Sequence, residues 1–120
     1  MFFEKKMFWH LLYPSMEKAI ADFSYSPLKR IHIDEKYICL VHFNGQLSAV
    51  ADKCPHQGAS LSWGYCNESG QVVCPWHHYA FSLKTGRVQQ DSGEAVDVFP
   101  VKVEEDGVYI GIEKKVFTLF

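Results

Sequence analysis

The sequence predicts an all-β chain built from antiparallel hairpins, and three observations carry that prediction. Asn44-Gly45 separates two apolar runs, Asp106-Gly107 separates two more, and only one short stretch has helical character. Asn-Gly between alternating runs is a strong hairpin signal, because a type I′ turn needs two consecutive residues at positive φ.

Taken in order, residues 15–23 form the helical stretch. Ser15 is placed to cap it, although Lys18 rather than Glu stands at the third position, so there is no capping box. Residues 28–34 put Ile31 and Ile33 on one face of a strand. Residues 37–43 are apolar on both alternating faces apart from His42, the pattern of a strand covered on both sides. Residues 46–51 return from the Asn-Gly turn. Phe99, Val101 and Val103 alternate with Pro100 and Lys102, and a proline there places the strand at an edge or a bulge. Residues 108–112 complete the second hairpin. Ser69-Gly70 and Thr85-Gly86 mark further turns. The apolar tail, residues 116–120, is expected to fold back on its own domain, with addition to a partner's sheet as the other option.

Composition sets the limits. At 120 residues the expectation is one domain spanning 1–120. The apolar fraction of 48% and charged fraction of 22% are those of an ordinary soluble globular protein, and a net charge of −2 is too small to argue for nucleic acid or an anionic membrane, so neither is expected as partner. Lys5 and Lys6 precede an apolar patch, residues 7–13, but His10 interrupts it and Pro14 stops it. A secretory core would be longer and end in small residues, so no signal peptide is expected and the cytoplasm is the default compartment. No apolar run approaches the roughly 20 residues of a membrane span.

The chemistry lies in Cys54-Pro55-His56 and Cys74-Pro75-Trp76-His77, separated by residues 57–73. Each segment offers one thiolate and one imidazole from a loop between strands. Equal numbers of sulfur and nitrogen donors suit an iron–sulfur cluster with one iron held by two Cys and the other by two His. Structural zinc fingers instead pair Cys with Cys and His with His, which disfavours a zinc module. Pro55 and Pro75 stiffen the loops after each ligand Cys. Of the other cysteines, Cys39 reads as a buried small hydrophobe. Cys66 reads as a thiol left over once four ligands are supplied. His10, His32 and His42 lack ligand spacing.

These residues resemble the Rieske [2Fe–2S] family, through Cys54-Pro55-His56-Gln57-Gly58-Ala59, Cys74-Pro75-Trp76-His77, Phe81 and Thr85-Gly86. The likeness is dense only between Asp52 and Gly86. It implies a Rieske-type antiparallel β-sandwich with a cluster-binding subdomain of two ligand loops, about 52–63 and 73–86. It also implies that Cys54 and Cys74 bind the inner iron and His56 and His77 the outer one. With neutral imidazoles the oxidised site carries no net charge, which eases reduction relative to all-Cys clusters.

The departures from the family pattern point to a subtype. The resemblance implies that high-potential members tie their loops with a disulfide, where this chain has Ala59 and Trp76. They also aim Ser and Tyr hydroxyls at the sulfurs, where this chain has Tyr79 and Phe81. Fewer hydrogen bonds to sulfur leave the reduced cluster less stabilised, so a low potential is expected, near the about −150 mV end of the Rieske range. His78 stands where the family has Gly and is expected at the surface. Trp76 is expected either to cover the cluster, to meet a partner or simply to pack. The implied function is a soluble one-electron carrier, a Rieske ferredoxin, passing electrons from a flavin-dependent reductase to a terminal oxygenase. Docking would use Pro55, Gln57, Pro75 and His78. The alternative is the small Rieske subunit of a complex like NADH-dependent nitrite reductase. No catalytic residue is expected, since no separate two-His, one-carboxylate iron site is present.

Overall fold

The computed structural model describes residues 2–55, 58–76, 78–89 and 93–118. Among the described residues, ten strands and one short helix follow in the order β1 (Phe2–Tyr13), α1 (Met16–Asp22), β2 (Leu28–Ile33), β3 (Lys36–Phe43), β4 (Gln46–Ala51), β5 (Tyr65–Cys66), β6 (Gln71–Val73), β7 (Ala80–Ser82), β8 (Val98–Phe99), β9 (Val101–Glu104) and β10 (Gly107–Thr118). A single 3₁₀ turn, Leu61–Trp63, lies between β4 and β5. The chain is an all-β, antiparallel assembly of three sheets, ordered β1-β10-β9, β2-β3-β4-β8 and β5-β6-β7.

The central sheet decides the architecture. Along β3, Cys39 and Val41 face one way and Ile38 and Leu40 the other, and all four are fully buried. Cys39 and Val41 join Val50, Cys54, Leu61, Val72, Cys74 and Phe81 in a core beneath the ligand loops. Ile38 and Leu40 join Ala49, Phe23, Ile110 and Ile112 in a second core beneath β10. The strand without a polar face is thus the one sandwiched between two layers. The β3–β4 hairpin turns at Asn44 and Gly45, both at positive φ (53° and 76°), as the sequence requires.

Ser15 caps α1, its hydroxyl accepting from the Lys18 N–H at 3.2 Å. Pro100 divides its apolar run between sheets: β8 pairs with β4 in the central sheet and β9 with β10 in the outer one. Both are edge strands, where a missing N–H is tolerated.

β1 is the element the sequence pattern does not reveal. It runs twelve residues and pairs with β10 from Phe2↔Thr118 to Tyr13↔Val108, with a bulge between Leu11 and Tyr13. The tail therefore folds back on its own chain as a strand, at least through Thr118; residues 119–120 lie outside the described residues. The ribbon lengthens the molecule: the radius of gyration is 15.1 Å, against about 13.6 Å for a compact 120-residue chain.

Candidate metal centre

The two ligand loops leave the central and small sheets at matching points. Cys54 follows β4 and Cys74 follows β6; both are completely buried and belong to the same core. Each loop closes on its cysteine. The Cys54 N–H donates to the Ala59 carbonyl and the Cys74 N–H to the Tyr79 carbonyl, both at 2.8 Å and both spanning five residues. The fourth residue after each cysteine has positive φ: Gly58 at 76° and His78 at 57°. A left-handed residue is what folds each short loop back, and glycine enters that region at no steric cost. His78 adopts it as a non-glycine residue, which costs about 1 kcal/mol or more.

The loops bring the two thiols together. The side chains of Cys54 and Cys74 are hydrogen-bonded to each other, and the Trp76 backbone N–H donates to the Cys74 sulfur. Burial pushes the Cys74 thiol up to about 11, with the neighbouring Cys54 adding to the rise and the Trp76 N–H opposing it. A buried thiol pair is poorly disposed to ionise alone and well disposed to do so on a cation that stabilises two thiolates. This donor set fits the sulfur-ligated iron of a mixed Cys/His cluster. All four cysteines are free thiols. The expected imidazole ligands, His56 and His77, lie outside the described residues, as does Gln57.

The other sequence expectations sort clearly. Cys39 is fully buried, and its thiol is pushed up by burial and by the Asp52 charge. Cys66 is half-buried and donates to its neighbour's carbonyl, Asn67, at 3.6 Å. His10 Nε2 lies 3.1 Å from Asp34 Oδ2, His32 stacks on Tyr37 at 4.4 Å, and His42 packs against Phe23 at 5.8 Å. Phe81 is fully buried and brings no hydroxyl to the site, and Tyr79 packs against the same core. Ala59 packs inward while Trp76 is 58% exposed, so neither acts as a link between the loops. Pro55 and His78 are exposed and Pro75 is half-buried.

One residue of the site escaped the sequence reading. Asp52, two positions before Cys54, is a buried carboxylate. It accepts from the Ser62 N–H at 2.6 Å and the Ser62 hydroxyl at 2.9 Å, and pairs with Arg30 Nε at 3.1 Å. It thereby ties the start of the first loop to the 3₁₀ turn that ends it and to β2. Gly64, just beyond that turn, is fixed by space: a Cβ there would lie 1.8 Å from the Val73 carbonyl oxygen.

Three sheets presenting a buried thiol pair from two closed loops make a small all-β domain whose sulfur donors suit a metal centre. The family model of the Rieske [2Fe-2S] domain matches residues 15–100, and the chain belongs to that family. The cofactor the family implies is a Rieske-type [2Fe–2S] cluster. Among relatives, a 3-phenylpropionate/cinnamic acid dioxygenase ferredoxin subunit from Photorhabdus laumondii is 34% identical over 79 residues, which is 65% of this chain and 75% of that protein. Human apoptosis-inducing factor 3 is 32% identical over 101 residues, 83% of this chain but 16% of that protein. This chain thus corresponds to a minor part of that longer relative. Among solved structures, a chain of the complex of reduced oxygenase and oxidized ferredoxin in carbazole 1,9a-dioxygenase superposes with a TM-score of 0.69 at 26% identity, covering 85% of this chain and 91% of that one.

Proposed function

We propose that the chain is a one-electron carrier, a Rieske ferredoxin that takes electrons from a flavin-dependent reductase and delivers them to a terminal oxygenase. The observation that carries this reading is the convergence of Cys54 and Cys74 at the base of two matched loops, each beside residues that reach the surface within a step or two. Pro55 and Gly58 flank position 56, and Trp76 and His78 flank position 77; all four are exposed. The relatives named as ferredoxin subunits and components support the same assignment. On this reading the chain is one domain with ligand loops at about 52–63 and 73–86, and it acts in the cytoplasm.

Cys54 and Cys74 would hold one iron of the cluster and His56 and His77 the other. The bound cluster supplies one reversibly held electron. The protein's part is to fix donor positions, exclude water from the thiolate side and leave the imidazole side accessible to a partner. Trp63 and Trp76, 71% and 58% exposed, add apolar surface for a brief contact. No residue of the chain is assigned a catalytic role.

The test is spectroscopic. The purified chain, reduced and examined by EPR, is expected to give the signal of a mixed Cys/His-ligated [2Fe–2S] cluster, with two iron and two sulfide per chain. Substituting Ala singly at Cys54, His56, Cys74 or His77 should abolish it. An intact cluster in His77→Ala would shift the ligand assignment to His78, and a colourless, zinc-containing protein would overturn the reading.

A further inference from the structure

The long ribbon of β1 and β10 is open along one side. Among the described residues β1 pairs as a strand with β10 alone, and β9 pairs with β10 as far as Ile110, the Gly111 N–H reaching the Pro100 carbonyl just beyond. Beyond that point the ribbon is two strands wide, and residues 3–9 of β1 are all exposed. A two-stranded ribbon is marginal in water, and an unpaired edge is a template for another strand. The outward face is also apolar: Phe3, Met7, Trp9, Leu11 and Phe117 are each at least 40% exposed. Edge lysines normally block strand addition. Here Glu4 precedes Lys5 and Lys6, which makes the charge order self-complementary in one antiparallel register.

We propose that the free edge of β1 pairs antiparallel with the same edge of a second copy, about a two-fold axis through Lys5. In this register Glu4 stands opposite Lys6 of the second copy, and Lys6 opposite Glu4. Phe3 stands opposite Met7, and Met7 opposite Phe3. Opposite charges and aromatic–aliphatic pairs directly across strands are the stabilising combinations. Moving the axis to Lys6 would set Glu4 against Phe8 and Lys5 against Met7. Moving it to Glu4 would set Phe3 against Lys5. Of these three registers only the Lys5 one sets Glu4 against Lys6 and Phe3 against Met7; its one like-charge pair is Lys5 with itself at the axis, which offsets part of that gain. The two Lys5 ammonium groups meet at the axis, each already 3.7 Å from its own chain's Glu113.

The same patch recurring on both partners is what a closed two-fold dimer requires, and an unrelated partner would have no need of a palindromic charge order. The base of the ribbon packs on the face of the central sheet away from the core that contains Cys54 and Cys74. The dimer therefore leaves both ligand loops free for electron exchange. A contact of about seven residues per strand lies at the small end of specific interfaces, under about 1,200 Å² in total, so the dimer is concentration-dependent.

Sedimentation equilibrium of the full cluster-loaded chain from micromolar to millimolar concentration tests this. The mass is expected to rise from the 13.8 kDa of one chain towards twice that value. Glu4→Lys and Lys6→Glu should each weaken association about tenfold or more, and the double variant Glu4→Lys/Lys6→Glu should restore it, because the exchange re-forms both pairs. Lys6→Glu also removes a like-charge pairing with Lys114 across the ribbon, so folding is not at stake in that variant. As a second measurement, Lys5→Cys at the axis should cross-link readily under mild oxidation, and Met7→Cys, off the axis, should not. A wild type that stays at single-chain mass throughout, a double variant no tighter than its parents, or equal cross-linking at positions 5 and 7 would each overturn the proposal.

Discussion

In the first ligand loop the Cys54 N–H reaches the Ala59 carbonyl; in the second the Cys74 N–H reaches the Tyr79 carbonyl, at the same 2.8 Å and over the same span. Both loops have a proline after the cysteine and a left-handed residue four positions on. They differ in what anchors them. The first is tied by a buried carboxylate, with Asp52 holding Ser62 and Arg30, and by a 3₁₀ turn. The second is carried on the β6–β7 hairpin, whose register runs from Gln71↔Ser82 to Val73↔Ala80. The difference teaches that the two cysteines are placed by a common five-residue closure, while the anchors use polar pinning in one loop and sheet pairing in the other.

If the loops contribute equally at the thiol level, Cys54→Ala and Cys74→Ala should each lose the cluster completely, measured as iron and sulfide per chain. A variant retaining half its iron would break the equivalence. Stripping the iron should then expose a pH dependence. The Cys74 thiol moves from 9.0 to about 11 on folding, so the folded chain keeps a proton that the unfolded chain releases. The associated stability is fully present below about pH 9 and is lost as pH rises towards about 11. Thermal melts of the iron-free chain should show this fall, and Cys74→Ala should show a shallower one.

The anchors should separate the loops next. Asp52→Ala removes two hydrogen bonds and an ion pair from the first loop and should cost about 2 kcal/mol in chemical denaturation. Smaller effects should come from the left-handed positions. Gly58→Ala meets no close neighbour, since the added Cβ would be 3.9 Å from the Lys53 side chain. Its cost is therefore conformational, about 1 kcal/mol. His78→Gly should relieve the backbone cost of the left-handed conformation, about 1 kcal/mol, while the cluster is retained, and the shortfall from that gain measures what the His78 side chain contributes. Equal and like-signed effects at 58 and 78 would show that the two loops are not conformational equivalents.

Much of this was legible in the sequence because burial writes a pattern. β3, covered on both faces, reads as a continuous apolar run, and Asn44-Gly45 and Asp106-Gly107 mark their hairpins. The Cys-Pro pairs mark the loops, and aligning them would also have shown that position 78 needs the backbone of Gly58. β1 was not legible because its distal half is exposed on both faces and Glu4-Lys5-Lys6 breaks any alternation. Asp52 was not legible because an Asp beside Lys53 in a loop looks solvated. Its burial depends on Arg30 and Ser62 arriving from elsewhere in the chain.

The central proposal is that Cys54, His56, Cys74 and His77 would hold a Rieske-type cluster of low potential, since Ala59, Trp76, Tyr79 and Phe81 stand where the family resemblance places the disulfide and hydroxyls of high-potential sites. A redox titration of the purified chain, followed by the EPR signal of the reduced cluster, tests it most directly. The account predicts half-reduction near about −150 mV; a midpoint above zero would contradict it.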